Sequence, residues 1–199
     1  REITFIVGGN GSGKSTLGKI ISLHYLPSEG CISFDNVDIT SLNRTVYRQE
    51  IASIYSDYYL FDQFYGISKE EIEEKIGEYL ELLKLKEKIT IEDNRFSTIS
   101  LSDGQRRRLA LIVSFLEEKS LYVFDEWAAD QDPEFKQIFY YEILPRLKVK
   151  GKAVVVVSHD DRYFGVADKL VTMEAGRVLR VELKDPVDAL ITDRSLATS

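Results

Sequence analysis

Three short runs, 3-ITFIV-7, 120-SLYVFD-125 and 153-AVVVVS-158, are almost continuously apolar and rich in Val, Ile, Phe and Tyr. Such runs suit strands buried on both faces, as in a parallel sheet covered by helices. The stretches between them carry helical spacing. Leu17, Ile20, Ile21 and Tyr25 share one face after the first run, and 27-PSEG-30 is expected to stop that helix. Ser68 and Glu71 read as a capping box ahead of an apolar face of Ile72, Ile76, Tyr79, Leu80 and Leu83. Asp132 reads as the N-cap of a further helix with Pro133 in its first turn. Pro145 is expected to kink or end that helix early. Towards the end, 170-LVTMEAGRVLRV-181 reads as a hairpin turning at Ala175 and Gly176. The class is α/β: a mostly parallel sheet with an antiparallel element. Residues from about 62 to 116 hold helices without a strong strand, and are expected to form a helical subdomain inside one domain spanning 1–199.

Composition narrows the picture. With 199 residues and 44% hydrophobic content there is enough for one sizeable core. The formal charge of -7 would repel a phosphate backbone, so nucleic acid is not expected as a partner. The single cysteine, Cys31, has no internal disulfide partner, and in 31-CISF-34 it reads as a buried small hydrophobe in a strand. A reducing cytoplasm fits. No apolar run approaches the roughly 20 residues of a membrane span, and no cleavable leader precedes the first strand. A strand at the very start, without methionine, reads as the beginning of a piece of a longer chain. The polar stretch 184–199 is expected to pack weakly.

Chemistry is concentrated at strand ends. The run 8-GGNGSGKS-15 satisfies G-x-x-x-x-G-K-[ST] between a buried strand and an amphipathic helix, the setting that this pattern needs. Gly8, Gly9, Asn10, Gly11, Ser12 and Gly13 would turn backbone N–H groups toward phosphate, with Ser15 and Thr16 opening the helix. Lys14 would reach the β and γ oxygens, and the Ser15 hydroxyl would ligate Mg²⁺. In 121-LYVFDE-126, Asp125 would hold Mg²⁺ while Glu126 would act as general base on water. His159, after the next apolar run, is placed to meet the γ-phosphate and the water; His24, on the first helix, reads as structural. These parts make a P-loop NTPase with a RecA-like sheet, the expected ligands being ATP and Mg²⁺.

A second anion site is suggested by 101-LSDGQRRRLAL-111, where Ser102 offers a hydroxyl and Gly104 an unobstructed N–H at a helix start. Asp103 must then point away from phosphate. Arg106, Arg107 and Arg108 read as a solvated face, with Leu109, Ile112 and Leu116 turned to the core.

Taken in order, the P-loop, LSDGQ, the Asp125–Glu126 pair and His159 resemble the nucleotide-binding domain of ATP-binding cassette (ABC) proteins. The resemblance covers nearly the whole chain, and LSDGQ, close to the family's LSGGQ, is its most specific element. It implies that Ser102, Gly104 and Gln105 complete the site of ATP held by a second domain, so that two cassettes close head to tail, expected here as a homodimer. By the same resemblance Asp132 takes the place of a dimer-contact aspartate. The segment 127-WAADQ-131 replaces the family's Pro-Thr-Ser-Ala-Leu, Trp127 being the largest departure, and Ser56 replaces a glutamine that touches Mg²⁺ and senses the transport domain. The adenine-stacking aromatic of the family would lie upstream of Arg1.

A narrower likeness, carried by 125-DEWAADQDPEFKQIFYYEILPRLK-148 with 157-VSHDDRYF-164, is to bacterial half-transporters that export cyclic peptides and siderophore or microcin products. It implies a transmembrane domain on the same longer chain and a place at the cytoplasmic face of the bacterial inner membrane. The alternative is a soluble ABC ATPase acting as a conformational clamp on ribosomes or DNA; it would call for tandem cassettes, a long coiled coil or a basic face. A third reading, a regulatory module without turnover, is opposed by Glu126 and His159.

Overall fold

The computed structural model describes residues 2–184 apart from 56–59, 61, 62 and 65. Ser56, the Glu71 side chain with its expected capping box, and residues 185–199 lie outside the described set. The elements run β1 (Ile3–Val7), α1 (Lys14–Ile21), β2 (Ser33–Phe34), β3 (Val37–Asp38), α2 (Arg44–Arg48), β4 (Ile51–Ile54), α3 (Lys69–Leu82), β5 (Ile91–Glu92), β6 (Arg95–Phe96) and α4 (Asp103–Leu116). Then follow β7 (Leu121–Asp125), α5 (Pro133–Ile138), a π-helical turn (Phe139–Ile143), α6 (Leu144–Val149), β8 (Ala153–Val157), β9 (Lys169–Glu174) and β10 (Arg177–Leu183).

The main sheet has the order β10-β9-β1-β8-β7-β4. Its neighbours are parallel except for the β9–β10 pair, which closes as the expected hairpin. Strand side chains alternate between two buried faces. Phe5, Val154, Val156, Tyr122 and Phe124 point into the larger core with α3, α4 and the α5–α6 segment. Ile6 and Val157 point the other way, onto Leu17 and Ile21 of α1. Burial on both faces is why these strands read as unbroken apolar runs.

Several expectations need correction. Helix α1 stops at Ile21, before the PSEG segment, because the Ser22 hydroxyl donates to Gly18 O at 2.8 Å and Leu23 turns to φ 58°. Tyr25 is therefore exposed rather than on a core face. Cys31 is exposed, since the strand shrinks to Ser33–Phe34. The helix begun at Asp132 is not ended by Pro145. It runs on through the π turn into α6, and the wider turn leaves room for a proline ring that would clash with a preceding carbonyl. Strand β4 went unforeseen, its four residues being too short a run to stand out.

Two points of topology position the site. Strand β1 lies at the centre, and β8 separates it from β7. The loops after β1, β7 and β8 thus open side by side at the same sheet end, the crevice where ligands bind in such sheets.

Candidate active site

The loop after β1 is tightly fixed. Gly8 and Gly13 take φ of 148° and 95°. A Cβ on Gly8 would lie 2.2 Å from Met173 O, so no other residue fits there without moving the backbone. Gly176, in the β9–β10 turn, donates its N–H to Ser12 O at 3.0 Å and braces the loop from behind. Lys14 is buried, and its Nζ donates to Gly8 O at 2.9 Å and Gly9 O at 3.0 Å, two carbonyl oxygens standing where anionic oxygens would serve better. The Ser12 hydroxyl is buried without a partner among the described residues. Asn10, Gly11, Ser15 and Thr16 are exposed around the same concavity. This cradle and donor set fit a phosphate chain.

Ser15 Oγ donates to Asp125 Oδ1 at 3.2 Å across the end of β8. Asp125 is buried, and that burial pushes its carboxyl pKa up, opposed by the Ser15 hydrogen bond. Glu126 stands next to it in the left-handed region, at φ 52°, its N–H held by Val157 O at 3.1 Å. That turn lifts the side chain off the strand end toward His159, whose Nδ1 lies 2.9 Å from Oε2. A carboxylate only accepts, so the proton is on Nδ1. A cavity of about 40 Å³ lies between Glu126, His159, Ala128, Ser158 and Tyr140, room enough for water. Tyr140 reaches Ser158 Oγ at 3.2 Å, and the same oxygen accepts from Asp160 N at 3.1 Å, so the turn carrying His159 is supported from below. Sequence reasoning missed Tyr140; its register depends on the π turn. A wider groove of about 980 Å³, between Tyr79 and Leu147, holds none of these residues.

Ser102 and Gln105 form a closed capping box at the start of α4. Gln105 N donates to Ser102 Oγ at 3.4 Å, and Ser102 N donates to Gln105 Oε1 at 3.2 Å. Asp103 turns outward to Arg106. Arg107 and Arg108 are buried, which corrects the expectation of a solvated face. Arg107 pairs with Asp130 at 2.6 Å and donates to Trp127 O at 3.4 Å. Arg108 donates to Gln131 Oε1 at 3.0 Å, pairs with Asp132, and lies over the Phe135 ring. Burial is tolerable because carbonyl, amide and carboxylate oxygens meet the guanidinium donors. Asp132 also caps α5, accepting from Phe135 N at 2.8 Å; that bond and the Arg108 charge hold its carboxyl below the usual range. Trp127 is enclosed by Phe139, Phe135 and Phe124, a fit the sequence could not display.

A glycine-rich loop on a central parallel strand, with carboxylates at the end of the strand beyond its neighbour, defines a P-loop NTPase. The family model described as ABC transporter matches residues 1–129. The chain belongs to the ABC transporter family, as one of its ATP-binding ATPase cassettes. It is similar to the ATP-binding protein SyrD of Pseudomonas syringae pv. syringae, with 42% identity over 181 residues, 89% of this chain and 32% of that protein. It is also similar to the nisin transport ATP-binding protein NisT of Lactococcus lactis subsp. lactis, at 30% identity over 194 residues, 89% of this chain and 32% of that protein. The chain thus spans about a third of the length of these relatives. Among solved structures, the ATP-binding cassette MJ0796, dimeric in a post-hydrolysis state with ADP and Pi, has the same fold. Its TM-score is 0.75 at 24% identity, over 92% of this chain and 85% of that one.

Proposed function

We propose that this cassette hydrolyses ATP to drive export through a transmembrane domain of the same longer protein, paired with a second copy of itself at the cytoplasmic face of the inner membrane. The observation that carries this reading is the convergence of the P-loop, the Ser15–Asp125 pair and the Glu126–His159 pair at one sheet end. NisT, named for nisin transport, supports a peptide-type product; cyclic-peptide or siderophore-like cargo is the finer proposal.

In this reading residues Gly8–Thr16 cradle the phosphates, and Lys14 exchanges the Gly8 and Gly9 carbonyls for β and γ oxygens. Ser15 and Asp125 would hold Mg²⁺, which when bound supplies neutralising charge to the phosphate oxygens. Glu126 takes the proton from water, and His159 holds the carboxylate through Nδ1–H, leaving Nε2 to accept a hydrogen bond from the water at the γ-phosphate. Ser102, Gly104 and Gln105 act on the partner's ATP, and Asp132 lies at the facing surface. The segment 62–116, holding α3 and α4, is proposed to move as a helical subdomain during closure.

Complementation tests the arrangement. Lys14→Ala spoils a P-loop and Ser102→Arg blocks a facing helix start, so each homodimer carries a lesion in both composite sites. A mixed dimer gathers both lesions in one site and leaves the other intact. Single-turnover hydrolysis should show a burst in the doubly tagged, doubly purified mixed dimer and none in either parent. No burst from the mixed dimer would sink the reading.

A further inference from the structure

The cavity of about 40 Å³ beside Glu126 is lined by no residue of the P-loop. It is therefore a separate space from the phosphate cradle, and a water in it is not the one that attacks. Two hydroxyls reach it. Tyr140 is 2% exposed and Ser158 4%, and their oxygens stand 3.2 Å apart. They carry two hydrogens and share one bond, so one hydrogen is left over whichever of them donates. Ser158 Oγ also accepts from Asp160 N at 3.1 Å, which uses a lone pair and no hydrogen. Burial pushes the Tyr140 pKa up to about 12, so the phenol keeps its hydrogen at neutral pH. Among the described residues no acceptor meets the hydrogen left over, and a buried donor without one is costly.

Glu126 is the group in need of a donor. His159 Nδ1 lies 3.1 Å from Oε1 and 2.9 Å from Oε2, so a single N–H is shared by both oxygens and leaves the carboxylate plane loosely set. The histidine side chain is itself 68% exposed. The hydroxyl pair, by contrast, is held from beneath. The Tyr140 ring stacks on Tyr163 with centroids 4.0 Å apart and meets Phe139 edge-on at 5.0 Å, so packing rather than its own bond places the hydroxyl. We propose that the cavity seats a water that accepts the remaining hydrogen of the Tyr140–Ser158 pair and donates to the Glu126 carboxylate, making Tyr140 and Ser158 positioning residues for hydrolysis. The site is polar and roomy enough for that water. This rests on the proposed role of Glu126 as the base.

A double-mutant cycle in turnover tests it in the native full-length protein. Tyr140→Phe keeps the packed ring and leaves the Ser158 hydrogen to the water, so turnover should stay within about threefold of wild type. Ser158→Ala leaves the Tyr140 hydrogen to the water and takes the acceptor from Asp160 N; turnover should again stay within about threefold, and any loss of melting temperature should appear in this variant. Tyr140→Phe added to Ser158→Ala removes the last donor. Turnover should then fall about tenfold or more below Ser158→Ala, with KM for ATP within about twofold and the melting temperature unchanged from Ser158→Ala. A hydroxyl that only supported the fold would cost the same factor in both backgrounds, and equal factors would overturn the inference. So would a dry cavity in a map of the wild-type protein fine enough to show bound water. Density is expected there within hydrogen-bonding distance of Glu126 and of one hydroxyl, and that measurement decides the matter even where the double variant does not fold. Glu126→Gln separates this inference from the proposed function. If it turns over at the wild-type rate, Glu126 is not the base and both fail. If it is inactive and the cycle gives equal factors, only the water site fails.

Discussion

The Ser15 hydroxyl lies 3.2 Å from the Asp125 carboxylate, although 110 positions separate them in the chain. The helix start after β1 and the end of β7 meet over the tip of β8, and this pair is the proposed seat of the divalent cation. Ser15→Ala is expected to raise the Mg²⁺ concentration for half-maximal ATPase rate about tenfold, and Asp125→Asn about a hundredfold. Titrating Mg²⁺ against rate checks both. Equal curves for Asp125→Asn and wild type would remove Asp125 from the metal site.

Gly8 and Gly9 are neighbours with opposite tolerance. Nothing lies within 4 Å of a Cβ on Gly9, whereas one on Gly8 meets Met173 O at 2.2 Å. Gly8→Ala should displace the loop and weaken ATP binding at least about tenfold, with a much smaller loss for Gly9→Ala. Nucleotide titration by calorimetry compares the two. Similar losses in both variants would show that the contact with Met173 does not shape the loop.

Trp127 is the chain's single tryptophan and is fully buried among phenylalanines. Its emission should be blue-shifted in the folded protein and move red on unfolding. Trp127→Ala, leaving a large void, should lower the unfolding free energy by about 3–5 kcal/mol. Denaturant titration followed by circular dichroism measures that loss. A loss below about 1 kcal/mol would mean the site collapses around the gap.

His24 is held neutral. Arg48 donates to Nε2 at 2.9 Å, which leaves the proton on Nδ1 for the Ser22 hydroxyl, also at 2.9 Å. Burial, then the Arg48 and Lys19 charges, lowers its pKa from the usual 6.5. The unfolded chain therefore takes up a proton at a pH where the folded chain does not, so this contribution to stability rises with pH. The penalty is absent well above 6.5 and complete below the folded-state value. Between about pH 7.5 and about pH 5.5 the wild type should lose more stability than His24→Gln. Parallel urea midpoints at the two pH values decide it; parallel slopes would mean His24 titrates freely.

What the sequence made legible was whatever depends on near neighbours. β1, β7 and β8 announce themselves because burial on both faces demands unbroken apolar runs. The phosphate loop does too, its glycines being needed by the local backbone. β4 carried the same cause in four residues, too few to register. Arg107 and Arg108 were misjudged because charge on a helix normally means solvent, and their partners lie 20 or more positions away. Tyr140 was invisible for a similar reason: a π turn alters the residue count per turn, so its register under Ser158 follows no 3.6-residue pattern. At the candidate site the strand-end residues could be named from sequence, but not which of them would touch.

The bond from Gly176 to Ser12 gives the phosphate loop a place in time as well as in space. On the ribosome the loop is made about 160 residues before its brace. At about 5–20 residues per second, the nascent loop waits on the order of ten seconds or more for that support. Until the β9–β10 turn emerges, a partly made chain has the glycine-rich loop without its backstop.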